Sequence, residues 1–286
     1  MASSIHPTAV ISPTAILGDR ITIGPFAIIE DGAQLGDDCV VGGHAVIKRG
    51  TILGHDNEIG EGAVIGGKPQ HAKIHNIYGG VRIGSGNRFR EGCTIHAAME
   101  QNKWTIVGDN NLLMVNAHIG HDVQLGNNTI IVNNVMLGGH AIVEDRAYLG
   151  GAVGVHQFCR IGRYAMVGGQ AHIVQDVPPY VTVDGGTSRV VGLNRIGLRR
   201  NGFTDAQMTD LKAAYRVMYR SGMTWTEVIA TLQQAYPEGP ASVLAPFLSL
   251  GRRGFVQERR VPRTAMLRIP DQLEAEESDK GLRKVG

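Results

Sequence analysis

Aliphatic residues recur at every sixth position along much of the chain. From Ile5 the stops are Ile11, Leu17, Ile23, Ile29, Leu35, Val41, Ile47, Leu53, Ile59 and Ile65. Gly18, Gly24, Gly36, Gly42, Gly54, Gly60 and Gly66 each follow one of them. The series lapses over "GKPQHAKIHNIYGG", resumes at Ile83, Phe89 and Ile95, and lapses again over "AAMEQNKW". Twelve more stops then run unbroken from Val107 to Ile173. A helix needs apolar positions every three or four residues, and a simple strand every two. A period of six predicts short strands joined by tight corners, each strand pointing one aliphatic side chain inwards. Glycine, asparagine or aspartate then tolerates the corner backbone. Three such strands close one coil of 18 residues, stacked on the next at about 4.8 Å. The expected fold is mainly β, a parallel β-helix. The two lapses, at about 67–80 and 97–104, are expected to be loops thrown out from this solenoid, and such loops usually carry binding function.

From residue 204 the period changes. "TDAQMTDLKAAYRVMYRSG" starts with Thr204 and Gln207 in capping-box spacing and stops at Gly222, which predicts a helix. "TWTEVIATLQQAY" and "ASVLAPFLSL" read as two more, the last interrupted by Pro246. The domains expected are a β-helix over 1–188, a helical domain over 189–260 and a charged tail over 261–286 that lacks the composition to order itself.

Composition narrows the functional classes. The 286 residues carry a net charge of only +2. From residue 190 onward, 15 Lys/Arg face 10 Asp/Glu, a local excess of +5. That excess is modest, and no aromatic platforms are interleaved with Lys/Arg, which argues against nucleic-acid binding. Cys39, Cys93 and Cys159 show no CxxC spacing, so neither a disulfide framework nor a zinc ribbon is supported and a cytoplasmic setting is expected. No apolar run reaches the roughly 18–20 residues of a membrane span.

Candidate chemistry gathers in "VNAHIGHDVQLG", residues 115–126. One coil beyond His121 lies Gly139, beside His140; two coils beyond lies Gln157, beside His156. The coil spacing therefore stacks these polar residues along one edge, with His118 near the same corner and the second loop beside it. Exposed corners of a β-helix carry polar residues anyway, and that is the preferred reading for His44, His55 or His172. A zinc site would want three histidines and a water, but HxxH is not specific outside a helix. The remaining reading is a general base. Histidine suits removing a proton from a hydroxyl that attacks an acyl carbonyl. Asp122 would hold the imidazole's tautomer, and the Gly139 N–H would receive the oxyanion. With no Ser–His or Cys–His pair evident, direct transfer is the economical route.

Several stretches together resemble one family, the bacterial UDP-N-acetylglucosamine O-acyltransferases that begin lipid A synthesis. They are "IGPF", "DNEI", "TIH", "DNNLLMVNAHIGHD", "VHQFCRIG", "QDVPPYV", "GLNRIGLRRNGF" and "AYRVMYRSG", spread over about residues 5–258. The resemblance implies a left-handed hand for the β-helix and a homotrimer with sites between neighbouring prisms. It implies transfer of a 3-hydroxyacyl group from acyl carrier protein to a sugar 3-hydroxyl, with no metal and no cofactor beyond the carrier thioester. It makes His121 the general base and Gly139 the oxyanion amide. His118, His140, His156 and Gln157 are matched to substrate-lining positions, Gln70 and Lys73 to the first loop, and Asn194 and Arg200 to the nucleotide site. An arginine there can pair with phosphate oxygens in a bidentate way. Gly169 falls at the position that limits acyl length. Two residues depart from the family: His71 stands where an aspartate is usual and Ile196 where a glutamate is usual. The first bears on whether the acceptor carries a 3-hydroxyl or a 3-amino group.

Lys212, Arg216 and Arg220 step by four along the first long helix, a stripe that would attract an acidic carrier protein. Two other functions fit the same repeat. A coenzyme-A-dependent acetyltransferase would need no carrier protein, and a non-catalytic scaffold would be indifferent to loss of His121.

Overall fold

The computed structural model describes residues 2–74 and 77–259. The tail expected over 261–286 therefore lies outside the described residues. Twenty-eight strands of two to four residues form three sheets of eleven, nine and eight strands. The chain visits the three sheets in turn, and each becomes one face of a prism. Ser4–Ile5 lies on the first face, Val10–Ile11 on the second and Ile16–Leu17 on the third, and the chain then returns to the first at Thr22–Ile23. Within the coils pairing is parallel and advances 18 residues, as in His118 opposite Met136 and Gln124 opposite Ile142, while the last pair, Val181–Val183 with Val190–Leu193, is antiparallel. Where the loops leave, the offset lengthens: Glu58 pairs with Arg88 and Thr94 with His118.

From Ile23 onward the stops at every sixth position form the core, whereas Ile5 is exposed in the first coil. Ile23, Ile29, Val41, Ile65, Ile119, Leu137 and Ile173 are buried, and a second inward column of small residues, Ala27, Cys39, Ala45, Ala117 and Ala141, lies two positions before each stop. A prism this narrow has room for one large and one small side chain per strand, which explains both columns.

The glycines after the stops need a different explanation from the one the pattern suggested. Apart from Gly66 (+86°), left-handed φ belongs to the second corner residue, as in Asn116 (+58°), Asp122 (+60°) and His140 (+59°). The glycines are needed for close approach instead. A Cβ on Gly120 would stand 2.7 Å from the Leu137 carbonyl oxygen of the next coil, and one on Gly138 2.7 Å from the Gln157 nitrogen.

The helical region begins with α1, Arg195–Arg200, a six-residue helix that the periodicity did not reveal. Asn194 caps it, accepting from the Gly197 N–H at 3.1 Å. Then come α2 (Asp205–Arg220) and α3 (Trp225–Ala235), each opened by a complete capping box, Thr204 with Gln207 and Thr224 with Glu227. The stretch around Pro246 forms a 3-10 turn over Pro240–Val243 followed by α4, Leu244–Ser249. These helices share their own apolar cluster, including Leu198, Leu211, Met218, Leu232 and Phe247. An ion pair joins them to the prism. Arg160 pairs with Asp176, which is 1% exposed, while its guanidinium donates to the Phe247 carbonyl at 2.7 Å and lies 4.1 Å over the Phe247 ring.

Candidate active site at one edge of the prism

His121 and Asp122 occupy the corner between the second and third faces, between His118–Ile119 and Gln124–Leu125. One coil on, Gly139 and His140 take the same two places; another coil on, Gln157 and Phe158 do. The imidazole of His121 lies against Gly139, since a Cβ built there would stand 2.6 Å from Nε2 and 2.5 Å from Cε1. Only glycine leaves room for that ring. His121 is 8% exposed, and its Nδ1 donates to Asp122 Oδ2 at 2.8 Å. The same carboxylate oxygen accepts the Met99 N–H from the second loop at 3.0 Å. With Nδ1 committed to a carboxylate, the Nε2 beside Gly139 is the nitrogen left for proton transfer.

Around this edge lies a cleft of about 890 Å³ whose walls include His71, Lys73, Trp104, His140, Gln157 and Phe158. His71 packs edge-on to His121 with ring centroids 5.9 Å apart, and His140 does so at 5.2 Å. Phe158 stacks on His140 at 4.7 Å and stabilises its orientation. The His71 Nδ1 accepts the Lys73 N–H at 3.1 Å, so a neutral His71 presents an Nε2–H donor. That polarity is opposite to the acceptor-only carboxylate that the resemblance led one to expect here.

Among the described residues, His121, Asp122 and His140 are the group whose ligand atoms, all within 4.8 Å of one another, could hold a metal. Asp122 Oδ2 already accepts two N–H donors, from His121 and Met99.

Other expected residues stand apart. His118 points out from the second face, with its Nδ1 2.9 Å from the Thr94 hydroxyl and its ring 5.0 Å from His96. Burial, then the neighbouring His96, pushes its pKa down to about 4. His96 is itself lowered by burial, and its Nδ1 donates to the Lys68 carbonyl at 2.7 Å. His156 precedes the Gln157 corner and donates to the Gln157 carbonyl at 3.0 Å. Gln70 is exposed at the start of the first loop. Gly169 sits at a different edge, where the first face meets the second, against Gly151.

Asn194 and Arg200 line a second cleft of about 1130 Å³ over the first face, together with Arg146, Tyr164, Arg195 and Ile196. Asn194 is used structurally as well, because its Nδ2 donates to the Tyr164 carbonyl while its Oδ1 caps α1. On one chain, then, the nucleotide-matched residues and the histidine edge are not brought together. On α2, Lys212, Arg216 and Arg220 are all exposed, and Arg220 is paired with Glu258 at 2.7 Å.

His96 and Thr105 escaped the sequence reading. His96 was visible as a second outward imidazole on the Thr94 strand, whereas Thr105 is one of two buried threonines, with Thr51, in a column that also holds Val81 and Val123.

Residues 176–256 match the family described as "Udp N-acetylglucosamine O-acyltransferase; Domain 2", and residues 14–49 and 105–139 match the bacterial transferase hexapeptide repeat. An acyl-[acyl-carrier-protein]–UDP-N-acetylglucosamine O-acyltransferase of Paraburkholderia phymatum is 43% identical over 261 residues, covering 89% of this chain and 100% of that protein. The chain belongs to the UDP-N-acetylglucosamine O-acyltransferase family. Its fold is that of the family's solved members. The Francisella novicida acyltransferase superposes with a TM-score of 0.86 at 34% identity, covering 90% of this chain and 95% of that one. The Moraxella catarrhalis O-acyltransferase gives 0.85 at 39% identity, covering 88% and 99%.

Proposed function

We propose that the chain transfers a 3-hydroxyacyl group from an acyl carrier protein thioester to the 3-hydroxyl of UDP-N-acetylglucosamine, the first step of lipid A biosynthesis. The observation that carries the mechanism is the His121 imidazole packed on Gly139 with its far nitrogen held by Asp122. Nε2 of His121 takes the proton of the 3-hydroxyl as the oxygen attacks the thioester carbonyl. The tetrahedral oxyanion is received by the Gly139 N–H. Collapse breaks the carbon–sulfur bond, and the imidazolium returns its proton to the departing thiolate of the carrier. The proton balance closes on one histidine, and no step calls for a metal.

The remaining assignments belong to the same reading. His71, Lys73, His140 and Gln157 line the reacting cleft, with His118, His156 and Gln70 beside it. Asn194 and Arg200 hold the nucleotide, and Gly169 leaves room for the acyl chain. Because Asn194 and Arg200 lie over the first face and Gly169 at another edge of the same prism, a homotrimer placing one chain's nucleotide cleft beside a neighbour's histidine edge completes the site. Lys212 and Arg216 offer the carrier protein its charge. No helix among the described residues is long and apolar enough to cross a membrane, and three buried free cysteines suit a reducing cytoplasm.

The test is incubation of the purified chain with 3-hydroxyacyl carrier proteins and either UDP-N-acetylglucosamine or its 3-amino analogue, with mass detection. An ester product confirms the reading. An amide product alone moves the acceptor to the amino sugar, in keeping with the changed polarity at His71. Transfer from coenzyme A thioesters alone would overturn it.

A further inference from the structure

We infer that Thr105 is a positioning residue for the His121–Asp122 pair, supplying the main-chain partner that the second loop removes. The inference rests on the catalytic reading above. At the prism corners the N–H of the second corner residue ordinarily donates to the carbonyl of the first corner residue one coil below. His140 donates to His121, Phe158 to Gly139, Asn128 to Asp109 and Arg146 to Asn127, all between 2.8 and 3.1 Å. Asp122 breaks the series. Counting back 18 residues from His121 reaches Lys103, which sits in the second loop, and its carbonyl accepts the Gly80 N–H at 3.0 Å instead. The Asp122 N–H turns to the Thr105 hydroxyl oxygen at 2.8 Å.

Thr105 is 0% exposed and lies in an inward column where neighbouring coils carry Val81 and Val123. The column also holds Thr51, likewise 0% exposed; a hydroxyl there is costly unless bonded, and that of Thr105 accepts the Asp122 N–H. Asp122 is thereby held at both ends, its amide by Thr105 and its carboxylate by the Met99 N–H, while that carboxylate holds His121 Nδ1. Asp122 also has φ +60°, a conformation that needs such support. Without the hydroxyl a part-buried N–H loses its acceptor. The corner then relaxes, and the carboxylate loses its place over the imidazole.

The test compares Thr105→Val, which keeps the shape and removes the acceptor, with Thr105→Ser, which keeps the acceptor. In Thr105→Val, kcat should fall about tenfold or more, since small misplacements of a catalytic group are expensive, while KM for the sugar nucleotide stays within about twofold. The hydrogen-bonded Nδ1–H resonance of His121 in ¹⁵N-histidine-labelled protein, assigned by its loss in His121→Ala, should broaden or shift. Thr105→Ser should restore both. Wild-type kcat and an unmoved resonance in Thr105→Val would overturn the inference, as would equal losses in both variants that track their melting temperatures. Full activity in His121→Ala would instead mark failure of the catalytic reading itself.

Discussion

Two edges of one prism treat the same backbone group in opposite ways. Where the third face meets the first, the N–H of the first corner residue is accepted by the side chain stacked on it. Asp19 donates to Asp37, Asp109 to Asn127 and Asn127 to Asp145, at 2.7–2.8 Å. Just inside that edge a second, buried ladder runs upward, the amides of Asn87, Asn111 and Thr129 each donating to the asparagine before at 2.8–3.0 Å. At those coils the edge is closed. Where the second face meets the third, the same places carry His121, Gly139 and Gln157, and no described residue accepts the Gly139 N–H. Catalysis needs an unspent donor aimed at developing charge, and the second edge keeps one by omitting the side chain that would satisfy it. The comparison teaches that the repeat makes the donor everywhere, and composition decides where it stays free.

The largest effect should come from Gly139→Ala. The added carbon would meet the imidazole at about 2.5 Å, displacing the base from its donor, and initial rates should fall about 10²–10³-fold with the circular dichroism spectrum unchanged. Gln157→Asp makes the open edge imitate the closed one by offering a carboxylate to the Gly139 N–H. A loss of about 10²-fold, larger than in Gln157→Ala, which leaves the donor open, would sharpen the contrast; full activity in the aspartate variant would break it. The converse change, Asp145→Ala, deprives Asn127 of its acceptor and should cost about 1–2 kcal/mol in urea unfolding without altering turnover.

The smallest effect concerns acid. His118 is held near 4 against an ordinary 6.5, so the unfolded chain takes up its proton first. Its contribution to stability is complete above about pH 6.5 and is lost as the pH falls towards 4. Melting temperatures at pH 7 and pH 5 should therefore differ less in His118→Gln than in the parent chain.

Much of the site was legible because an 18-residue coil converts sequence distance into contact, so His121 and Gly139 had to meet. His96 and Thr105 were not, since their roles depend on how the loops depart. The loop carbonyl of Lys103 is drawn to Gly80, and nothing local to residue 105 announces that its hydroxyl replaces it. Helix α1 was hidden because six residues containing Gly197 carry too little periodicity, and its stability comes from the Asn194 cap and the burial of Leu198.

By itself the sequence determined the prism, its core and the column of residues at each corner, because a strict period leaves one way to bury the aliphatic stops. Only the tertiary structure decided which corner amides are satisfied and which stay open. It also decided that the Asp122 N–H is held by Thr105, and that one cleft lies at an edge and the other over the first face of the same chain. Those outcomes depend on which groups from distant coils and loops compete for each donor, and that competition is settled only in three dimensions.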